Sequence, residues 1–269
     1  MKKALNYALL LAGMTSLPAM AHISFSGRDF GTFDGTIGQT NTISYNSATG
    51  NFGWIDGTDA DWGDSHKVKP YDFHLTAAAD VKITFQDQAF TPSATATVPN
   101  PVPVMGGISP GFSLYSGVGH VPPAQLDHDT AAGSIAIRDA VGGVGMTEGS
   151  FRAQDNWSIT NDNNDPASVY TYIGSAYNGN GINYGTGIIA GADGVADHMV
   201  SKTFHLPAGD YSLFAGGTDY ANQSVLPQLQ YGISGTVAVV PEPETYAMLL
   251  AGLGLMGAIV RRRNIGGSI

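Results

Sequence analysis

The chain contains no cysteine, which excludes disulfide bonds, thiolate catalysis and cysteine-ligated zinc in one step. It is also poor in charge, since charged residues make up 13% of its 269 residues. Basic residues are the scarcer sign: 12 Lys and Arg stand against 22 Asp and Glu, for a net charge of −10. A chain this acidic repels phosphate backbones, so we expect no nucleic-acid partner. Its length allows a sufficient core without disulfide bonds.

The interior of the sequence also lacks the apolar stripe of a long helix. Its 36 Gly and 14 Pro are typical of short elements joined by turns. Several segments instead alternate apolar and polar residues with the period of two that a half-buried strand requires. The predicted strands cover residues 40–45, 71–75, 81–86, 111–115, 134–138, 156–160, 169–173, 202–206, 210–215 and 229–240. Short strands at this spacing predict an all-β fold, an antiparallel β-sandwich of jelly-roll type.

One strand-turn-strand pattern occurs twice in the sequence. Residues 71–75 end in His74-Leu75 and lead through small residues into an alternating segment at 81–85. Residues 202–206 end in His205-Leu206 and lead in the same way into residues 211–214. The pattern is similar to that of the pre-peptidase C-terminal β-sandwich modules of secreted bacterial proteins.

The N-terminus predicts a signal peptide. Lys2 and Lys3 precede an apolar run over residues 4–17, and the small residues Ala19 and Ala21 follow it. This order is what signal peptidase recognises, so we expect cleavage between Ala21 and His22, with residues 1–21 as the signal peptide. A retained membrane anchor is the alternative, but the apolar run is short for a membrane span.

The C-terminal tail has three parts in a fixed order. Pro241-Glu242-Pro243 comes first, fourteen uncharged residues at 247–260 follow, and Arg261-Arg262-Arg263 closes the segment. As a helix the apolar part would be about 21 Å long, which is short for a permanent span. The arginines would hold its end on the cytoplasmic side. The two prolines disfavour both helix and sheet, so the motif would stay extended and open to a processing enzyme.

Residues 240–264, VPEPETYAMLLAGLGLMGAIVRRRN, resemble the PEP-CTERM sorting signal. The resemblance implies a Gram-negative bacterium with an exosortase, a transpeptidase-like membrane enzyme that cuts at or near the motif. It also implies association with exopolysaccharide, biofilm or floc. On this interpretation residues 22–239 form the mature β-sandwich body, 240–264 the sorting tail and 265–269 a short extension. An ordinary C-terminal membrane anchor is the alternative.

Short enzyme signatures are absent from the sequence, including the Gly-x-Ser-x-Gly elbow, the His-Glu-x-x-His helix, the P-loop and the dinucleotide motif. Glu148 is the one glutamate between His22 and Val240, and nothing singles out two carboxylates at the spacing of a glycosidase. Asp127-His128-Asp129 has the residue types of an acid–base pair, but we interpret it as a solvated turn. We therefore expect no enzymatic activity, with a secreted matrix hydrolase, a glycoside hydrolase, as the lesser alternative.

Four carboxylates between Asp56 and Asp64 form the sharpest candidate for a metal site. Calcium takes several hard oxygens from a flexible loop, and Asp56, Asp59 and Asp61 are the first candidate ligands. The ligand order of an EF-hand is missing. The alternative is an acidic surface loop in which the aspartates make local turn hydrogen bonds. A second polar loop, residues 161–165, is a weaker candidate.

Three tryptophans could provide a platform on which sugar rings stack: Trp54, Trp62 and Trp157. The alternating pattern around Trp157 instead favours a place in the core. The scattered histidines are interpreted as structural and not as metal ligands: His66, His74, His198 and His205.

The sequence therefore predicts an exported protein of the cell surface or extracellular matrix, with a structural or adhesive role in exopolysaccharide or biofilm. The alternatives are a glycan- or calcium-binding module and a matrix hydrolase. The predicted partners are signal peptidase, the exosortase, extracellular polysaccharide and, through the tail before processing, the inner membrane. No cofactor is required on this interpretation, and calcium is the candidate ion.

Overall fold

The computed structural model describes residues 22–55, 62–119, 127–128, 150–159, 168–183, 187–219, 229–242, 252–253 and 255–256. Within these ranges the body is built from strands, which confirms the predicted all-β class, and helical residues occur at 252–253 and 255–256. The strands are β1 (His22–Ile23), β2 (Asp29–Phe33), β3 (Thr40–Thr49), β4 (Trp62–Asp64), β5 (Lys69–Leu75), β6 (Ala79–Asp87), β7 (Pro110–Ser116), β8 (Asp127–His128), β9 (Ser150–Arg152), β10 (Trp157–Ile159), β11 (Ser168–Tyr177), β12 (Met199–Leu206), β13 (Gly209–Gly217) and β14 (Gln230–Val240).

The strands form two large sheets and two short ladders. The first sheet has six strands in the order β10-β11-β7-β13-β5-β2, and the second has four in the order β12-β6-β14-β3. Neighbouring strands are antiparallel in both sheets except for β2 and β5, which run parallel. The ladders pair β1 with β8 and β4 with β9.

The two sheets pack face to face through aromatic side chains. Phe85 of the four-stranded sheet lies 5.1 Å from the ring of Tyr71 and 5.4 Å from that of Phe112, both in the six-stranded sheet. Gly235 is paired with Phe85, and a Cβ atom at this glycine would come within 2.6 Å of the phenylalanine ring. Glycine is therefore needed there, because a larger residue would displace the ring from the core.

A second aromatic cluster covers the other side of the six-stranded sheet. Trp157 stacks on Tyr170 with ring centres 4.6 Å apart and meets Phe214 at 5.2 Å. Trp54 is fully buried and its indole N–H donates to the Ser113 hydroxyl at 2.8 Å. The central strands β7 and β13 are therefore buried on both sides, which explains their nearly continuous burial along the sequence.

The repeated strand-turn-strand pattern corresponds to two corners at which the chain crosses between the sheets. One corner joins β5 to β6, and the other joins β12 to β13. Because β5 pairs with β13 and β6 pairs with β12, the two corners lie side by side at one end of the sandwich. In the second corner the Tyr211 hydroxyl donates to the Pro207 carbonyl at 2.6 Å.

The longer strands match the predicted segments but differ at their ends, as in β11, which continues to Tyr177, four residues beyond the predicted end at Ile173. β3 continues to Thr49, beyond the predicted end at Tyr45, where the backbone φ of +61° interrupts the alternation. Asp127-His128, interpreted from the sequence as part of a turn, forms β8 and pairs with β1. β1, β2, β4, β8 and β9 were not predicted: each has two to five residues and no alternating flanks that show the period of two, whereas the equally short β10 lies within the alternating segment 156–160. The predicted strand 134–138 lies outside the described residues.

Replacing Phe85 with alanine tests the packing between the sheets. We expect Phe85→Ala to lower the free energy of unfolding by about 3–5 kcal/mol, because the buried ring leaves a cavity. Gln86→Ala, an exposed change on the same strand, should stay within about 0.5 kcal/mol of the parent. Urea unfolding of the three proteins measures both values, and equal losses in the two variants would contradict this packing.

Candidate functional site

The chain leaves the sandwich at the last residue of β14, at the end where the two corners lie. We call this the tail end, defined by Leu75, Leu206 and Val240. Val240 is paired with Asp80 of β6. The Val239 N–H donates to the Gln39 carbonyl at 2.8 Å, and the Val239 carbonyl accepts from the Gly38 N–H at 3.0 Å. The strand is therefore held on both sides up to the point where the tail begins.

The Pro-Glu-Pro motif begins at the next residue, without a linker. Pro241 is half-buried and Glu242 is exposed, while Pro243 lies outside the described residues. Proline has no N–H to donate to a ladder, so the strand ends here for a chemical reason. An enzyme that cuts the motif must therefore work directly beside the folded body.

Two histidine–aspartate contacts join the corners at the tail end. His205 Nδ1 lies 2.7 Å from an oxygen of Asp80, which is 8% exposed. His74 Nδ1 lies 2.6 Å from an oxygen of Asp210. Each histidine thus contacts the aspartate of the other corner, because the two partners face each other across a strand pair. The repeated His-Leu sequence has this reciprocal contact as its structural counterpart.

Three aspartates gather on the outward side of the six-stranded sheet near this end. Asp72 of β5 is paired with Asp29 of β2, and Asp210 lies on the neighbouring strand β13. Burial, followed by the negative charges of Asp29 and Asp210, raises the pKa of Asp72 to about 7, although Arg28 opposes the shift. One Asp72 oxygen is buried without a hydrogen-bond partner. Arg28 is held in place by its Nε–H, which donates to the Pro70 carbonyl at 2.7 Å.

Sequence reasoning missed this group of aspartates. The three residues stand far apart in the chain, and no local motif joins them. They meet only because β2 adds to β5 in parallel and β13 adds to β5 on its other side. The sequence feature that could have indicated this group is the repeated strand-turn-strand pattern, because it places Asp72 and Asp210 near the same end of the fold.

The predicted calcium ligands Asp56, Asp59 and Asp61 lie outside the described residues. Asp64, the fourth carboxylate of that segment, is described and contacts Lys67 Nζ at 3.0 Å. Elsewhere in the described ranges, no group of three or more His, Cys, Asp or Glu is placed to hold a metal ion. The calcium site therefore stays a prediction, as does the loop at 161–165, which is also outside the description.

The other predicted residues belong to the signal-peptide cleavage site and the sorting tail. His22 forms the first strand residue and pairs with His128. Residues outside the description are Ala19, Ala21, Pro243, Arg261, Arg262 and Arg263. In the part of the chain that is described, no helix has the length and apolar character needed to cross a membrane.

The tryptophans do not form the proposed sugar platform where their side chains are described. Trp54 and Trp157 are buried, so the core position expected for Trp157 is confirmed and neither ring is open to a sugar. The side chain of Trp62 lies outside the description. Two further histidines make local contacts: His66 lies 2.9 Å from Asp64, and His198 donates to the Ile108 carbonyl at 3.0 Å.

Residues 239–263 match the family model of the PEP-CTERM protein-sorting motif. No curated protein shows a significant sequence match to the chain. A surface-associated copper-binding protein important in copper acquisition by Methylomicrobium album BG8 overlaps with a TM-score of 0.47 and 13% identity, covering 78% of this chain and 97% of that one. The secreted protein MopE of Methylococcus capsulatus, in which an oxidized tryptophan facilitates copper binding, overlaps with a TM-score of 0.39 and 16% identity, covering 79% and 87%. With TM-scores below 0.5, these overlaps establish no shared ligand.

Replacing Asp72 with asparagine tests the electrostatics of the aspartate group. The folded protein holds a proton on Asp72 that the unfolded chain releases near pH 4, so the free energy of unfolding should fall as the pH rises from about 4 to about 7. Asp72→Asn removes this titration and should flatten the slope. Urea unfolding across this pH range measures it. Asp155→Asn is the control, and an unchanged slope in Asp72→Asn would contradict the assignment.

Proposed function

We propose, from the premise that this chain is an exported surface protein sorted through its PEP-CTERM motif, that its body serves a structural or adhesive role in the extracellular polysaccharide matrix. The body acts without catalysing a reaction. The observation that carries the proposal is the sorting motif itself, whose match at residues 239–263 begins in the last two residues of β14.

The tail holds the protein at the inner membrane until the exosortase cuts it. Signal peptidase removes residues 1–21 during export. The uncharged residues 247–260 then enter the membrane, and Arg261, Arg262 and Arg263 keep their positive charge on the cytoplasmic side. This arrangement leaves Pro241-Glu242-Pro243 at the surface of the inner membrane that faces away from the cytoplasm, within reach of the exosortase.

The fold supports release of an intact body. The ladder of β14 ends at Val240, so a cut within or after the motif removes none of its pairings with β6 and β3. Burial of the core likewise depends on residues before the motif, such as Val237 and Val239. Within the described residues, the pairing of β14 and its contribution to the core therefore need nothing after Val240.

The environment of Asp72, the carboxyl group whose pKa would suit proton transfer near neutral pH, fits a non-catalytic role. Asp72 has a pKa of about 7, which would suit a general base at neutral pH. A general base must also come within hydrogen-bond distance of its substrate. One of the two Asp72 oxygens is closed to solvent, which fits a structural carboxyl group better than a catalytic one.

Comparison of three strains of the producing bacterium tests the proposal. One strain makes the native chain, one makes none, and one makes Glu242→Gln, which removes the charge from the motif. We expect native protein in the matrix fraction with an intact mass that lacks residues 1–21 and the tail. Glu242→Gln should stay in the membrane fraction with its tail attached, and the strain without the protein should form a less cohesive matrix.

Glu244→Gln is the matched control, because it changes the neighbouring charge and leaves Pro-Glu-Pro intact. It should be processed and released like the native chain. Native protein that still ended at Ile269, or a matrix with unchanged cohesion in the strain without the protein, would contradict the proposal.

Calcium binding is a second candidate function. It is favoured by the contacts that hold the two ends of the acidic segment. The N–H of Asp64 donates to the Gly53 carbonyl at 2.9 Å, and Ile55 is fully buried. Both ends of the segment that carries Asp56, Asp59 and Asp61 are therefore anchored to the body, which brings the two ends of this acidic segment close together.

Calorimetry with calcium chloride tests this candidate on the exported protein. We expect saturable heat from the native body and none from the triple variant Asp56→Asn, Asp59→Asn, Asp61→Asn, because the ion loses its carboxylate ligands. Asp34→Asn, an exposed aspartate in another turn, should bind like the native chain. Native protein without saturable heat would refute calcium binding.

A further inference from the structure

The outward side of the four-stranded sheet presents rows of hydroxyl groups. The central row crosses all four strands in register and consists of Ser201, Thr84, Thr236 and Thr42. Facing partners on neighbouring strands point to the same side of a sheet. We call this side the hydroxyl face, which also carries Thr40, Ser44, Lys82, Gln86 and Thr203, while Ser234 points to the same side but is only 3% exposed.

The hydroxyl groups are fixed in position before any ligand arrives. The hydroxyls of Thr42 and Thr236 lie 2.8 Å apart, and those of Ser44 and Ser234 lie 3.4 Å apart. Threonine is branched at Cβ and therefore stiff. Neighbouring strands are about 4.8 Å apart and alternate residues about 6.7 Å apart, so the face is a regular array of donors and acceptors.

An exposed tyrosine stands at the border of this array. Tyr45 is 69% exposed, and its ring packs edge-on against Phe90 with centres 5.6 Å apart. Its backbone adopts a φ of +61°, and its N–H donates to the Gln88 side chain at 2.6 Å. A positive φ is costly for a residue with a large side chain and recurs at binding sites. The strained backbone here holds a flat aromatic ring in solvent.

Charge distinguishes the hydroxyl face from the rest of the body. Among the outward-facing residues of its four described strands the one carboxylate is Asp80, which is 8% exposed and contacts His205. The outward side of the other sheet instead gathers Asp29, Asp72 and Asp210. In a chain of net charge −10, this is a surface that a polymer can approach without meeting exposed carboxylates, while a polyanion is repelled by the body as a whole.

We propose that the hydroxyl face binds a neutral polysaccharide, with sugar hydroxyls on the central row and one sugar ring stacked on Tyr45. The inference rests on the proposed matrix function and names its ligand and its surface. A protein partner fits less well, because protein interfaces concentrate binding energy in buried Trp, Tyr and Arg residues around an apolar centre. The centre of this face consists of Ser and Thr.

The binding strength should depend on the length of the polymer. A hydrogen bond that replaces one to water stabilises a complex only modestly. Many such contacts along one chain act together, because each contact after the first forms within the same complex. Long chains should therefore bind much more tightly than short oligosaccharides of the same sugar.

Two variants of the exported protein test the proposal. The triple variant Thr42→Val, Thr84→Val, Thr236→Val removes the hydroxyls and keeps the branched side chains, which suit a strand. Tyr45→Gly removes the ring and relieves the strain at positive φ. The matched control is Thr32→Val, Thr171→Val, which changes two exposed strand threonines of the other sheet. Urea unfolding confirms that each variant is folded.

The probe is matrix polysaccharide from the producing bacterium, separated by anion exchange into neutral and acidic fractions. We expect the native chain and the control to bind the neutral fraction. Both variants should bind it with an affinity at least about tenfold lower. Folded variants that bind like the native chain, or native protein that binds only the acidic fraction or neither, would overturn the inference.

The outcome is separable from that of the proposed function. Loss of matrix cohesion without the protein, together with unchanged binding in the variants, would overturn this surface and leave the matrix role standing. Binding through the hydroxyl face with unchanged matrix cohesion would support this surface and refute the matrix role.

Discussion

The two-sided hydrogen bonding of β14 is the constraint on which the rest of the structure depends. This strand pairs with β6 on one side and β3 on the other. Its inward residues, among them Ile233 and Val237, fill the core between the sheets. Its outward residue Thr236 lies in the middle of the hydroxyl face. Its last residue joins the sorting motif, so core, surface and tail share one strand.

The two sheets differ in what covers their outward sides, and this difference divides their roles. The six-stranded sheet is packed on both sides in its centre, because the cluster of Trp157, Tyr170 and Phe214 covers it. The outward side of the four-stranded sheet carries the hydroxyl face, where Thr84 and Thr236 are partly exposed and Ser234 is buried. The larger sheet therefore contributes to two core clusters and the smaller sheet to one, which leaves the outward side of the smaller sheet as the proposed binding surface.

Sequence patterns predicted those parts of the molecule that are encoded locally. Alternation located β5, β6, β12 and β14, because each has at least seven residues and one buried side. The sorting motif was equally accessible, since its parts follow one another within 25 residues of the chain. The group of Asp29, Asp72 and Asp210 was not, because it depends on pairing between strands distant in sequence. The hydroxyl rows were hidden for the same reason: each threonine is ordinary in its own strand, and only the register aligns them.

The path of the chain through β14 also determines how the body responds to force. In the proposed state in which the tail is held in the membrane, drag on the body would pull on Val240 along the strand. The hydrogen bonds to β6 and β3 lie across that direction, so they carry the load together in shear and do not open one by one. A strand at the edge of the sheet, attached at the other end of its ladder, would peel away under a much smaller pull.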